Sequence, residues 1–145
     1  MTLLPEGARL ALMATLDVAL HARGRPVSSK ELAARHDLPP RRLEGLLQAL
    51  VRAGIFKSVR GPSGGYELAR ERRRLSLGEI VRIGLRAESA PSAGAQRYDA
   101  VLAPVLARME ECAFAELDAI TLDELQTRAQ QSGFDEKRGD GDFEI

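Results

Sequence analysis

The run Gly61-Pro62-Ser63-Gly64-Gly65 constrains this chain more than any other stretch. It has little side-chain bulk, one proline-fixed φ and glycines free to adopt positive φ, so the backbone has to reverse direction there. Ile55-Phe56-Lys57-Ser58-Val59 before it and Tyr66-Glu67-Leu68-Ala69 after it are short and rich in apolar, β-branched or aromatic residues, which predicts the two strands of a hairpin. The remainder reads differently. There is no Trp, aromatic residues make up 4% and apolar residues 44%, so the core must come from Leu, Ala, Val and Ile, a mixture that leans helical. The expected fold class is mainly α with a small β-hairpin.

Leu10, Leu12, Met13, Leu16, Val18, Ala19 and Leu20 predict a first helix buried over much of its surface, ending near 21–24 where Gly and Pro gather. Asp17 interrupts that run, and no small-residue cleavage site follows as a signal peptide would require. Ser28 with Glu31 three residues on is a capping-box pattern, and Leu32, Ala33 and Ala34 supply a short apolar face, predicting a helix of about two turns. His36-Asp37-Leu38-Pro39 reads as a tight connection, and Pro40 suits the first position of the next helix. Leu43, Leu46, Leu47, Leu50 and Val51 then fall at i, i+3, i+4, i+7 and i+8, leaving Arg41, Arg42, Glu44, Gln48 and Arg52 off the stripe. Gly54 closes that helix. After the hairpin, Ser76 and Glu79 can cap a helix through Ile83, residues 86–96 have linker composition, and helical spacing returns over 98–120. There Leu102, Leu106, Met109, Ala113, Leu117 and Ile120 form an apolar stripe, and Thr121 with Glu124 starts a short terminal helix.

The net charge of zero conceals a division. Residues 1–86 carry 16 Lys/Arg against 8 Asp/Glu, and residues 87–145 carry 5 against 13. The basic part is the candidate polyanion binder, the acidic part is not. A single cysteine, Cys112, excludes an intramolecular disulfide and any site needing several thiolates from one chain, so a reduced cytoplasmic setting is the default. No stretch approaches membrane-spanning length.

Helix, short helix, turn, helix and glycine-rich hairpin is the order of a winged helix-turn-helix, in which the second helix of the pair enters the DNA major groove by its N-terminal residues. Arg41, Arg42 and Glu44 occupy that first turn, and Arg donates to guanine while a carboxylate accepts from the cytosine amino group. The same residues also suit an ordinary solvated surface. Arg60 stands just before the compact turn, where it can reach the narrow minor groove. The alternative for the glycines is a hairpin that needs only their positive φ, and a phosphate loop is disfavoured because no Lys-Ser/Thr follows them.

These segments resemble the Rrf-type family of bacterial winged-helix transcription regulators, the group of IscR-, NsrR- and CymR-like proteins, over about residues 3–125. The resemblance is carried chiefly by Ser58-Val59-Arg60-Gly61-Pro62-Ser63-Gly64-Gly65-Tyr66-Glu67-Leu68, with Leu43-Glu44-Gly45-Leu46-Leu47, Ala53-Gly54-Ile55, Leu16-Asp17-Val18-Ala19-Leu20 and Ile120-Thr121-Leu122 in support. It implies a winged-helix domain with a recognition helix containing Glu44 and a wing containing Arg60, and a long helix that forms a two-fold dimer; with the composition and spacing above, the expected organisation is a winged helix-turn-helix domain over 1–86, a flexible loop over 87–97, a dimerisation helix and short terminal helix over 98–131, and a disordered tail over 132–145. It also implies double-stranded DNA as partner, a homodimer, and a DNA-contacting set of Arg41, Arg42, Glu44, Lys57, Ser58, Arg60, Gly61, Gly64, Gly65 and Tyr66. Two departures alter the reading helix: Pro39 stands where relatives commonly have Ser, and Arg42 where they have Tyr. A third concerns cofactors. Cluster-binding relatives place three cysteines in the loop before the long helix, and residues 87–97 contain none, so no iron–sulfur cluster and no metal are expected.

The expectation is a dimeric repressor on a palindromic operator, with half-sites about one helical turn (~34 Å) apart and an unknown effector left open. Two alternatives stand beside it: a redox- or metal-responsive sensor of the same fold, and a winged helix that has lost DNA binding and works through protein contacts. Cys112 next to the apolar stripe reads as a small hydrophobe, with Glu110, Glu111 and Glu116 unfavourable to a reactive thiolate. No nucleophile–base pairing or cofactor loop suggests an enzyme.

Overall fold

The computed structural model describes residues 3–88 and 99–134. Six helices, one 3-10 turn and one hairpin follow in the order α1 (Glu6–His21), α2 (Ser29–Arg35), α3 (Arg41–Arg52), β1 (Phe56–Val59), β2 (Gly65–Leu68), the turn Arg72–Arg74, α4 (Leu77–Glu88), α5 (Asp99–Ala119) and α6 (Leu122–Gln131). This is the mainly α fold with a small hairpin expected from the sequence. Most of the loop expected over 87–97 and of the tail over 132–145 lies outside the described residues.

Small side chains set the central packing. Ala8, Ala11 and Ala14 are wholly buried on α1, whereas Leu10, Leu12 and Met13 are only half-buried. The reason is the approach of α4: a Cβ on Gly84 would lie 2.4 Å from the Gly7 carbonyl oxygen, and one on Gly7 would lie 2.6 Å from that of Gly84. Backbones that close leave room only for Gly and Ala, so the larger residues take the flanks. The same contact explains why α4 runs beyond Ile83 to Glu88. Its last turn packs along α1, and Glu88 Oε2 accepts a 2.7 Å hydrogen bond from the N–H of Gly7.

Helix starts follow the capping patterns with one systematic difference. Ser28 Oγ accepts from the Glu31 N–H and Ser76 Oγ from the Glu79 N–H, but only at Thr121 does the glutamate reach back, Glu124 Oε2 accepting from the Thr121 N–H at 3.0 Å. In the other two cases an arginine takes the carboxylate: Arg25 pairs with Glu31 and Arg70 with Glu79. At α3 no side chain caps the start, and the carbonyls of Pro39 and Pro40 accept from the N–H groups of Arg42 and Leu43 instead.

The core joins α1, α2, α3, α4 and the hairpin through Val18, Leu32, Leu43, Leu47, Leu50, Ile55, Phe56 and Ile80, and Leu122 of α6 closes it. Backbone bonds from Leu77 N–H to Ile120 O (2.9 Å) and from Leu122 N–H to Leu75 O (2.8 Å) lock the α5–α6 junction onto the start of α4. No helix among the described residues is long and apolar enough to cross a membrane.

Candidate nucleic-acid interface

The face that α3 turns away from the core is fixed by its leucines. Leu43, Leu46, Leu47 and Leu50 are buried, which leaves Arg41, Arg42, Glu44, Gly45 and Gln48 exposed on the outer side. Apolar burial of four side chains therefore sets the rotation of the helix, and the polar first turn faces water as a consequence. Arg41 and Glu44 make no ion pair among the described residues. Arg42 does: its guanidinium is held by Glu6 at the first turn of α1.

The wing follows directly. Gly54, at φ +77°, ends α3 in the left-handed conformation that glycine accepts most readily, with Ile55 N–H bonded to Leu50 O, and β1 begins two residues later. Phe56 pairs with Leu68, Lys57 with Glu67, Ser58 with Tyr66 and Val59 with Gly65 in antiparallel register. Phe56 is buried in the core, whereas Lys57, Ser58 and Arg60, further toward the tip, are exposed. Lys57 Nζ lies 3.3 Å from Glu67 on the neighbouring strand, so its charge is shared within the wing. Arg60 makes no ion pair among the described residues and stands at the tip.

Glycines at the tip serve close backbone approach as well as turning. Gly61 has φ +118°. A Cβ on Gly64 would fall 2.3 Å from the Val59 carbonyl oxygen, and one on Gly65 would fall 2.3 Å from that of Val27. Val27 is a feature the sequence reading missed. It pairs with Tyr66 through two backbone hydrogen bonds of 3.0 and 2.7 Å, an isolated antiparallel bridge on the outer edge of β2. Tyr66 itself is half-buried with its ring 6.0 Å from that of Phe56, placing it against the core and beneath the wing.

The stripe on α5 divides in two. Leu102, Leu106 and Met109 are 47%, 50% and 58% exposed, and Val101 and Val105 beside them are exposed too. Leu117 and Ile120 instead pack on the chain's own core. Arg82 of α4 fixes this lower half by donating to both carboxylate oxygens of Asp118 at 2.7 and 2.9 Å, and its guanidinium also lies 4.2 Å from the Phe114 ring centre. The hydrogen bond from Arg82 holds the Asp118 carboxyl below its ordinary range. Cys112, read from sequence as a small hydrophobe, is exposed on α5.

Helix order, exposed α3 turn and glycine-tipped wing are those of a winged helix-turn-helix, and the sequence matches the Rrf2 family, described as iron-dependent transcriptional regulators, over residues 4–128. The chain belongs to the Rrf2 family. IscR from T. potens superposes with a TM-score of 0.72 at 31% identity, covering 90% of each chain. CymR, the global cysteine regulator of B. subtilis, superposes with a TM-score of 0.67 at 28% identity, covering 88% of this chain and 98% of that one. The HTH-type transcriptional regulator IscR of Vibrio cholerae is 40% identical over 78 residues, 54% of this chain and 45% of that protein. The matched stretch thus spans about half the length of that relative.

Iron in this Rrf2 chain can be tested against its donors. No group of three or more His, Cys, Asp or Glu among the described residues could hold a metal ion, and the whole sequence contains one cysteine. A thiolate-held cluster needs several sulfur donors. The residues of this chain do not fit one.

Proposed function

We propose that this Rrf2 chain is a sequence-specific DNA-binding repressor in the cytoplasm that acts as a homodimer on a palindromic operator, with residues 1–86 as the DNA-binding unit and 98–131 as the assembly unit. The observation that carries this reading is the rotation of α3, which buries four leucines and leaves Arg41, Arg42 and Glu44 exposed on its first turn. In this reading Arg41 and Glu44 meet base edges in the major groove, and Arg42 does so after exchanging Glu6 for DNA. Arg60 enters the minor groove from the wing, with Lys57 and Ser58 on adjacent phosphates. Gly61, Gly64 and Gly65 let the tip approach the backbone, and Tyr66 supports it from below.

Dimerisation is supported by the exposed upper half of the α5 stripe. Val101, Leu102, Val105, Leu106 and Met109 form a contiguous apolar surface of the kind that isolated soluble chains rarely leave open. A two-fold interface would cover it in both copies and place two α3 helices about one DNA turn (~34 Å) apart.

Selection of binding sites from genomic fragments, followed by gel-shift titration at physiological salt, tests the proposal. A palindromic site bound at least about a thousandfold more tightly than random DNA is expected. Binding that is equal on all sequences would leave only a non-specific polyanion binder.

A further inference from the structure

Away from the DNA-facing surface, a cavity of about 540 Å³ opens where the C-terminal parts of α1, α2 and α6 converge. Met13, Leu16 and Leu20 of α1 and Phe134 beyond α6 give it apolar walls, Asp17, Arg35 and His36 line one side, and His21 and Ser132 add polar groups at the ends of α1 and α6. The volume lies within the roughly 300–1,000 Å³ of pockets that enclose small molecules, as does the pattern of apolar walls with a few grouped polar atoms.

The hydrogen bonds around Arg35 point to the head group that fits. Asp17 is 4% exposed, and its acceptors are taken: Oδ1 by Arg35 Nη2 at 2.6 Å, Oδ2 by Arg35 Nε at 3.0 Å and by His36 Nε2 at 2.7 Å. Six carbonyls at the three converging helix ends are also engaged. Val18 accepts from Ala22, Ala33 from Leu38, Ala34 from Asp37, Arg128 from Ser132, Ala129 from Phe134 and Gln130 from Gly133. Donor capacity remains on Arg35, because the guanidinium has five N–H groups and Asp17 engages only its Nε and Nη2 edge, and the Ser132 hydroxyl in the same lining can donate or accept. The Nη1 edge of Arg35 has no partner among the described residues.

We infer that this cavity is a binding site for a small ligand with an apolar body and a single carboxylate. The body lies against Met13, Leu16, Leu20 and Phe134, and the carboxylate accepts from the Nη1 edge of Arg35. Asp17 holds the guanidinium fork in place before the ligand arrives, so little side-chain ordering accompanies binding. Because Asp17 already offsets the charge of Arg35, a monoanion is better matched than a phosphate dianion. Regulation follows from position. The ligand bridges α6 to Arg35 at the end of α2, the first helix of the helix-turn-helix, and so biases how α3 is presented; this consequence rests on the DNA-binding reading above, whereas the site itself does not.

Isothermal titration of the full chain with 3-phenylpropionate, its amide and 3-phenylpropylamine tests the site without DNA. Saturable binding of the carboxylate is expected, with the amide and amine about tenfold weaker or worse, the effect of losing one charge-assisted hydrogen bond. Ala129→Trp should fill the cavity and abolish binding. Phe134→Ala, at a position 71% exposed and harmless to the fold, should weaken it severalfold. Equal affinity for the three head groups, no binding by a series from acetate to 4-phenylbutyrate, or undiminished binding by a folded Ala129→Trp protein would overturn the site. Operator affinity unmoved by saturating carboxylate would overturn its regulatory role. Failure to bind any operator, with or without carboxylate, would instead count against the DNA-binding reading and leave the calorimetric result standing.

Discussion

Asp17 is the residue at which this structure makes its most demanding prediction. It sits inside the apolar part of α1, its side chain is 3% exposed, and it receives two hydrogen bonds from Arg35 and one from His36. Removing one partner of a buried ion pair costs about 3–5 kcal/mol when the other is left unpaired and dry. Here both partners retain side chains 30% exposed, so water can recover part of their solvation, and the expected loss for Asp17→Ala falls to about 2–4 kcal/mol. For a chain of this size that corresponds to a fall in Tm of roughly 6–16 °C. Asp17→Asn should be destabilised as well, because its amide turns an N–H toward the guanidinium where an acceptor is needed. Circular-dichroism melts and urea titration of the single variants and of Asp17→Ala with Arg35→Ala measure the effect, and the double mutant should lose clearly less than the sum of the singles. Operator affinity should fall as well, since the network ties α2 to α1. An Asp17→Ala protein within about 0.5 kcal/mol of wild type would show that the network contributes no more than an ordinary surface pair, and the reasoning would fail.

Arg60→Ala should weaken operator binding by about 1–3 kcal/mol and reduce any preference for flanking A·T pairs, with an unchanged melting curve; full operator affinity would remove the wing tip from the interface. Leu106→Glu with Met109→Glu should give a sedimenting monomer that keeps its helical spectrum, and an intact dimer would place the interface elsewhere. Glu6→Ala frees Arg42 from its competing carboxylate and should tighten operator binding, whereas an unchanged affinity in fluorescence anisotropy would mean that Arg42 does not meet DNA. Asp118 has its carboxyl held low by Arg82 in the folded protein, so its contribution is present at neutral pH and disappears as pH falls through the folded value. Asp118→Asn should therefore melt earlier than wild type at pH 7, with the gap closing in acid; a gap that is constant with pH would exclude the ion pair as its cause.

Local chemistry was legible wherever neighbours in sequence decide it. The turn at 61–65, the caps at Ser28, Ser76 and Thr121 and the leucine stripe of α3 each depend on residues within a few positions, and the polar first turn of α3 follows from that stripe. The Arg42 contact was not legible, because Glu6 lies on another helix. Nor was the bridge at Val27, which depends on how the chain after α1 returns beside β2. Val101 and Val105 were passed over because a stripe drawn at steps of three and four is narrower than the face left uncovered by the fold.

By itself, then, the sequence determined the order and kind of the elements and which side of each amphipathic helix turns inward, since propensity, capping and periodicity act over one or two turns. Only tertiary structure decided what each inward face would meet. The close crossing of α1 and α4 at Gly7 and Gly84 made alanines the core and moved Met13 and Leu16 to a cavity wall. The same folding brought Arg35 and His36 to Asp17, turning an apparent break in an apolar run into a buried ionic network. Contacts between residues 18 or more positions apart form only when helices dock, and docking depends on the shapes and charges of surfaces that no single segment carries.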